Sequence, residues 1–254
     1  MTKIFKNRGA KIFSAVCLLV CLTLSVSLAD LFSSIITTNA FSASTSKIKS
    51  ENFSLYAISL YSTTTQNQAQ TLSQNAKQKN SAGYIYQTDT AFYVLASAYE
   101  NISDAQKVET NLKNSNTSCE IIEIKFPKIE VSLSMTPEEK TALENAVCVY
   151  RNMYKKLYDL SVSVDTNLLN EIESKVELSS IISTFTKIKS EFEALFNLKI
   201  NTSLLEIKLS LENVEQILDN LAKFSDSQTP YCSQIKHCYF EILAQQLLLY
   251  NTIN

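Results

Sequence analysis

Ser54-Leu55-Tyr56-Ala57-Ile58-Ser59-Leu60-Tyr61 and Phe92-Tyr93-Val94-Leu95-Ala96-Ser97-Ala98-Tyr99 are two versions of one phrase, 38 residues apart. Each is followed by a polar stretch with apolar residues at helical spacing: Ala69, Leu72 and Ala76 after the first, Ala105, Val108 and Leu112 after the second. The helical parts match at an offset of 36, so the first copy carries two extra loop residues. Each copy closes on a second β-rich run, Gly83-Tyr84-Ile85-Tyr86-Gln87 and Cys119 to Phe126. Strand-helix-strand written twice is a statement about fold, because neither half can bury its own apolar face. The repeat predicts a ferredoxin-like four-stranded antiparallel sheet with two helices on one face.

Strand alternation assigns the two faces of that sheet. The core face is expected to hold Tyr56, Ile58, Leu60, Phe92, Val94, Ala96 and Ala98. The open face is expected to hold Leu55, Ala57, Ser59, Tyr61, Tyr93, Leu95, Ser97 and Tyr99. Tyrosines on an exposed sheet suit sugar rings, with area from the ring and a hydrogen bond from the hydroxyl.

The pattern Phe92 to Asn101, followed by Ala105 and Leu112, resembles the sporulation-related repeat, or SPOR domain, over about residues 53–126. The family's glycine stands as Ser59 in the first copy and Ser97 in the second, its glutamine as Ala57, and its alternating basic residues as Tyr93 and Leu95. The resemblance implies binding of peptidoglycan glycan strands at division or sporulation sites. The site residues it points to on the open face are Ser59, Tyr61, Tyr93, Leu95, Ser97 and Tyr99. The Ala57, Ser59 and Leu95 departures favour a second reading: an envelope interaction protein whose sheet has lost sugar binding and whose helical half binds a protein partner.

Residues 1–11 carry Lys3, Lys6, Arg8 and Lys11 and no acid, and Ile12 to Ala29 is uncharged. This is a signal peptide or a signal anchor with the N-terminus in the cytoplasm. Ser27-Leu28-Ala29 and Thr38-Asn39-Ala40 are cleavage candidates. Eighteen residues span about 27 Å as a helix, enough for the hydrocarbon layer, and apolar residues continue to Ile36. We therefore expect a single-pass transmembrane helix within residues 12–36 of a 1–40 head, in the cell membrane, with the rest extracytoplasmic. A mobile polar linker is expected over 41–51, the sheet domain over 52–130, and an all-α bundle over 136–254.

The bundle expectation rests on a change of character. Pro230 is the one proline after Pro137, and no glycine follows Gly83. Thr136-Pro137-Glu138-Glu139 reads as a helix start. Stripes at helical spacing come next: Ala142 to Leu157; then Leu169, Ile172, Val176, Ile182, Phe185, Ile188, Phe192 and Leu195; then Leu211 to Leu221 behind a capping box at Ser203; then Ile235 to Tyr250 behind Thr229-Pro230. Each stripe reads as core. The second would be a partner surface if its helix were long and partly exposed. Tyr150, Tyr154 and Tyr158 recur at four and read as packing rather than a binding ridge.

Charge and composition narrow the chemistry. The net charge is 23 − 25 = −2, and −6 once the four basic head residues are set aside, so no nucleic-acid partner is expected. One histidine, His237, and two glycines leave no multi-histidine metal site and no phosphate loop. No enzyme, cofactor or metal is expected. Cys232 and Cys238, six apart, would lie about 9 Å apart along one helix, too far for a disulfide, and read as structural thiols. Protease added to intact protoplasts should degrade the bulk of the chain; full protection would refute the topology.

Overall fold

The computed structural model describes residues 44–199, 201–226 and 228–253. The expected span at 12–36 lies outside them. Among the described residues no helix is long and apolar enough to cross a membrane.

The fold is a mixed α+β one, mostly helical, with a four-stranded antiparallel sheet. The elements run β1 (Ser44–Lys49), β2 (Phe53–Thr63), α1 (Gln66–Lys77), β3 (Tyr84–Gln87), β4 (Phe92–Tyr99), α2 (Ile102–Asn114), β5 (Glu120–Phe126), β6 (Glu130–Met135), α3 (Pro137–Asp165), α4 (Glu171–Phe196), α5 (Thr202–Ala222) and α6 (Tyr231–Ile253). The sheet order is β3-β4-β2-β5. Ser46–Leu133 and Pro137–Asn254 belong to one compact unit.

The linker expectation is corrected. β1 lies in the stretch read as mobile and pairs with β6 in a two-stranded sheet. Ser50 completes the link: its N–H donates to the Ile129 carbonyl at 2.9 Å, and its hydroxyl accepts from the Ile129 N–H at 2.8 Å. Ser46 to Lys49 reads as polar sequence, yet Ile48 is buried and the alternate lysines face out, which is a strand pattern.

The repeat folds as two strand-helix-strand halves. Ile58 and Ala96 meet Ala105 of α2, with Tyr56, Leu60, Val108, Leu112 and Ile121 around them. α1 packs on β2, β3 and β4. Gly83, at the entry to β3, has φ +57°, and a Cβ there would fall 2.5 Å from the Ser73 carbonyl oxygen and 2.6 Å from Lys77 Cγ. Glycine is needed at this point because α1 and the strand approach so closely.

Two bulges set the faces of β2 and β4. Ile58 pairs with Ser97 and Ser59 with Leu95, which leaves Ala96 as an extra residue; Tyr61 then pairs with Val94, which leaves Leu60 extra. Paired residues share a face and a bulge inverts the phase beyond it. Both extra residues join the α2-side cluster.

The face opposite α2 is covered by the bundle rather than open. β3 is short: its pairing with β4 begins at Tyr84 opposite Leu95, and the Ala82 N–H donates to the Ala96 carbonyl at 2.8 Å. Beyond that point the outward peptide groups of Ala98 have no strand partner. The Ala98 N–H donates to the Tyr239 hydroxyl at 3.2 Å, and the Tyr154 hydroxyl donates to the Ala98 carbonyl at 3.0 Å. The two rings meet edge to face at 5.3 Å. Both are buried, so the α3 and α6 tyrosines finish the edge of β4 with side-chain bonds.

The helices differ in detail from the expectation. α3 buries its predicted stripe, while α5 and α6 bury most of theirs and leave Ile217, Leu247 and Tyr250 half-buried. α4 buries Ser174, Leu178, Ile181, Phe185, Phe192 and Phe196, leaving Ile172 and Val176 out. α4 opens on a capping box from Asn170 and Glu173. α5 is capped by Asn201, whose side chain accepts from the Leu204 N–H, rather than by Ser203.

Tyr154→Phe and Tyr239→Phe keep both rings and strand one buried peptide group each. Each is expected to lower the free energy of unfolding by about 1 to 3 kcal/mol. Urea titration checks this; a loss below about 0.5 kcal/mol would mean that the hydroxyls do not carry the junction.

Candidate functional site: the sheet face beneath the bundle

The six residues expected on one open face divide between two faces. Ser59 and Leu95 pair with each other toward the bundle and are 1% and 0% exposed. Tyr93 pairs with Tyr86, two residues along from the bundle-facing Tyr84, and keeps partial exposure. Ser97 pairs with Ile58 and Tyr99 with Tyr56, on the α2 side, because the Ala96 bulge inverts β4. Tyr61 pairs with Val94 and leaves the Ser59 face for the same kind of reason, the Leu60 bulge. Ala98, expected in the α2-side core, pairs with Ala57 toward the bundle.

Local bonds explain the polar residues among them. The Ser59 hydroxyl donates to the Tyr61 carbonyl at 3.0 Å, so this buried serine satisfies itself inside the bulge. The Ser97 hydroxyl donates to the Tyr99 hydroxyl at 3.0 Å. Tyr99 meets Tyr158 of α3 edge to face at 5.9 Å, and its phenol is raised above the ordinary value by burial. Arg151 clamps the corner. Its Nε and Nη1 hold Glu100 and Glu51, each at 2.9 Å, while its Cζ sits 4.9 Å from the Phe53 ring centre.

α6 docks on the turn before β3 through residues spaced for one helical face. Ser233 bonds the Ser81 carbonyl, Lys236 the Asn80 carbonyl at 2.8 Å, and His237 Nδ1 the Ala82 carbonyl at 3.0 Å. Three consecutive carbonyls are thus taken by one helix. Tyr84 stacks on Phe240 at 5.2 Å, and its phenol is pushed up to about 12, chiefly by burial.

The one histidine serves this seam. Nδ1–H donates to Ala82, so Nε2 faces Lys77 Nζ at 3.5 Å as an acceptor, with Glu241 at 3.8 Å. Burial first, then the Lys77 charge, pushes His237 down to about 4. Burial also lowers Lys77 and raises Glu241. The neutral ring makes no ion pair with Glu241. A cavity of about 300 Å³ opens beside Lys77, His237 and Tyr84.

Two further features escaped the sequence reading. An open cleft of about 630 Å³ runs past Asn52, Phe53, Lys125, Lys128 and Tyr250. Phe53 and Phe126 stack at 4.7 Å beside it. Lys47, Lys49 and Lys128 all converge on Glu130, which holds that carboxyl down at about 2.

The four described cysteines are free thiols. Cys232 donates to the Ser161 carbonyl at 3.3 Å, and burial pushes its thiol up to about 12; burial also raises the Cys238 thiol. Among the described residues no group of three or more His, Cys, Asp or Glu is placed to hold a metal ion. Tyr150 and Tyr154 are buried, with the Tyr150 hydroxyl on Ser210 at 2.8 Å. Compared with protein-family models, curated proteins and solved structures, the chain matches none.

His237 makes stability depend on pH. The unfolded ring takes its proton near 6.5 and the folded ring near 4, so its contribution is full above pH 6.5 and is lost as pH falls to 4. The loss is expected to approach about 2 to 3 kcal/mol. Urea titrations at pH 7 and pH 4.5 check it, with His237→Gln as the control: the variant should flatten this part of the profile.

Proposed function

We propose that this chain is a non-catalytic, membrane-anchored envelope interaction protein. Its sheet module holds its own helical bundle, and the bundle meets a protein partner. The observation that carries this reading is the burial of Ser59 and Leu95 on the sheet face where Tyr84 stacks on Phe240 of α6, with Tyr154 and Tyr239 bonded to Ala98 at its edge. A face filled by helices of the same chain has no room for a glycan strand. Arg151, Lys236, Ser233 and His237 add side-chain bonds across the seam, so displacing the bundle would leave buried polar groups without partners.

Support for the SPOR-like module comes from the repeat and from the order β3-β4-β2-β5, which is that of a ferredoxin-like split βαβ plan. The family's glycine positions, Ser59 and Ser97, fall beside the two bulges, where glycine is favoured. Anchoring through residues 12–36 and an extracytoplasmic bulk are inferred from the basic head and apolar run.

Peptidoglycan binding is the second reading. The partial exposure of Tyr61 and Tyr93 favours it. Co-sedimentation of the full chain with native and amidase-treated peptidoglycan separates the two. The interaction reading expects the chain in the supernatant in both cases. Pelleting that Tyr61→Ala or Tyr93→Ala abolishes would replace it with the glycan reading.

A further inference from the structure

We propose that the end of the α3–α4 hairpin is a docking surface for an apolar partner segment flanked by lysines or arginines. The proposal rests on the interaction reading of the chain and names the surface and the partner chemistry.

Four large apolar residues gather there without cover. Leu168, Ile172 and Val176 are 74%, 78% and 68% exposed, and Val162 joins them at the end of α3. The turn brings them together. The Leu168 and Leu169 N–H groups both donate to the Ser163 carbonyl, at 2.9 and 3.1 Å, which folds Leu168 back beside the last turn of α3. Ile172 and Val176 lie one turn apart on α4, on a single stripe. Core packing does not need them, since α4 buries Leu178, Ile181 and Phe185 on another face. Isolated exposed apolar residues are ordinary, but four at one hairpin end form a patch.

The rim chooses the partner. Between residues 162 and 177 stand four acids, Asp165, Glu171, Glu173 and Glu177, against one base, Lys175. That base is turned onto Glu171 at 2.7 Å and over the Tyr231 ring at 5.4 Å. Lys236 offsets Asp165, and the hairpin end remains acidic. A second copy would bring the same acids face to face across a two-fold interface, which disfavours self-association. An anionic lipid surface is disfavoured by the same sign. An amphipathic helix with apolar anchors and basic flanks meets both the patch and its rim.

The test uses the full chain in zwitterionic nanodiscs, with empty discs as the baseline. The probes are a labelled amphipathic Leu/Lys peptide and its Leu/Glu counterpart. The Leu/Lys peptide is expected to bind at least about tenfold tighter than the Leu/Glu peptide. The double variant Ile172→Ala, Val176→Ala, changed at exposed positions, is expected to weaken it about tenfold, and Glu177→Lys severalfold. Circular dichroism confirms that each variant keeps its helices. Equal binding of the two peptides, or of neither, overturns the proposal. So does a dimer in light scattering that the double variant dissolves, since a second copy would then be the occupant. Leu/Lys binding unchanged by both variants removes this surface and leaves the interaction reading standing, which fails separately if the chain pellets with peptidoglycan.

Discussion

Two tyrosine hydroxyls on one alanine hold this architecture together. β3 stops pairing with β4 before Ala98, and a sheet edge inside a protein cannot leave its peptide groups bare. Another strand would be the usual remedy. Here the donor and acceptor come from Tyr154 and Tyr239, on different helices of the bundle. That choice fixes α3 and α6 against the sheet at one point and in one orientation. The neighbouring bonds from α6 to Asn80, Ser81 and Ala82 extend the same logic along the turn before β3. The sheet thus lacks a complete edge without the bundle, and Tyr154 and Tyr239 find partners for their buried hydroxyls on the sheet.

The seam is built mainly from neutral hydrogen bonds and ring contacts. His237 is held uncharged between a carbonyl and an ammonium, and Tyr84 lies flat on Phe240. Charged groups stand at the margins, with Arg151 on Glu51 and Glu100 at one corner and Lys236 on Asp165 at another. Salt should therefore weaken the margins more than the buried bonds of Tyr154 and Tyr239 to Ala98.

Much of the fold was legible because the repeat and the helical stripes depend on local periodicity. The strands of the repeat, its two short helices and the four long ones all emerge from that periodicity. Alternation could not see the pair of bulges at Leu60 and Ala96. Each adds one residue without changing composition, and each inverts the face of the residues beyond it. Tyr61, Ser97 and Tyr99 went to the wrong face for that reason, while Ser59, Tyr93 and Leu95 kept theirs. Burial of that face was equally hidden, since Leu55, Ala57 and Leu95 are as apolar as a covered face requires but were set beside tyrosines that suggested a ligand. In α4 Ile172 and Val176 stand two residues before Ser174 and Leu178, on the side of the helix away from the core, so a stripe read through all the apolar positions merged an exposed face with a buried one. β1 was missed because its strand character depends on β6, a partner on the far side of the whole repeat.

That small β1–β6 ladder has a mechanical meaning. It joins the chain just before the four-stranded sheet to the chain just after it, so the whole repeat hangs as a closed loop from its two ends. A pull between the residues preceding β1 and the helices following β6 would load the ladder and bypass the sheet. The repeat would feel tension only after the ladder had given way, which makes six residues on each side the fuse of the molecule.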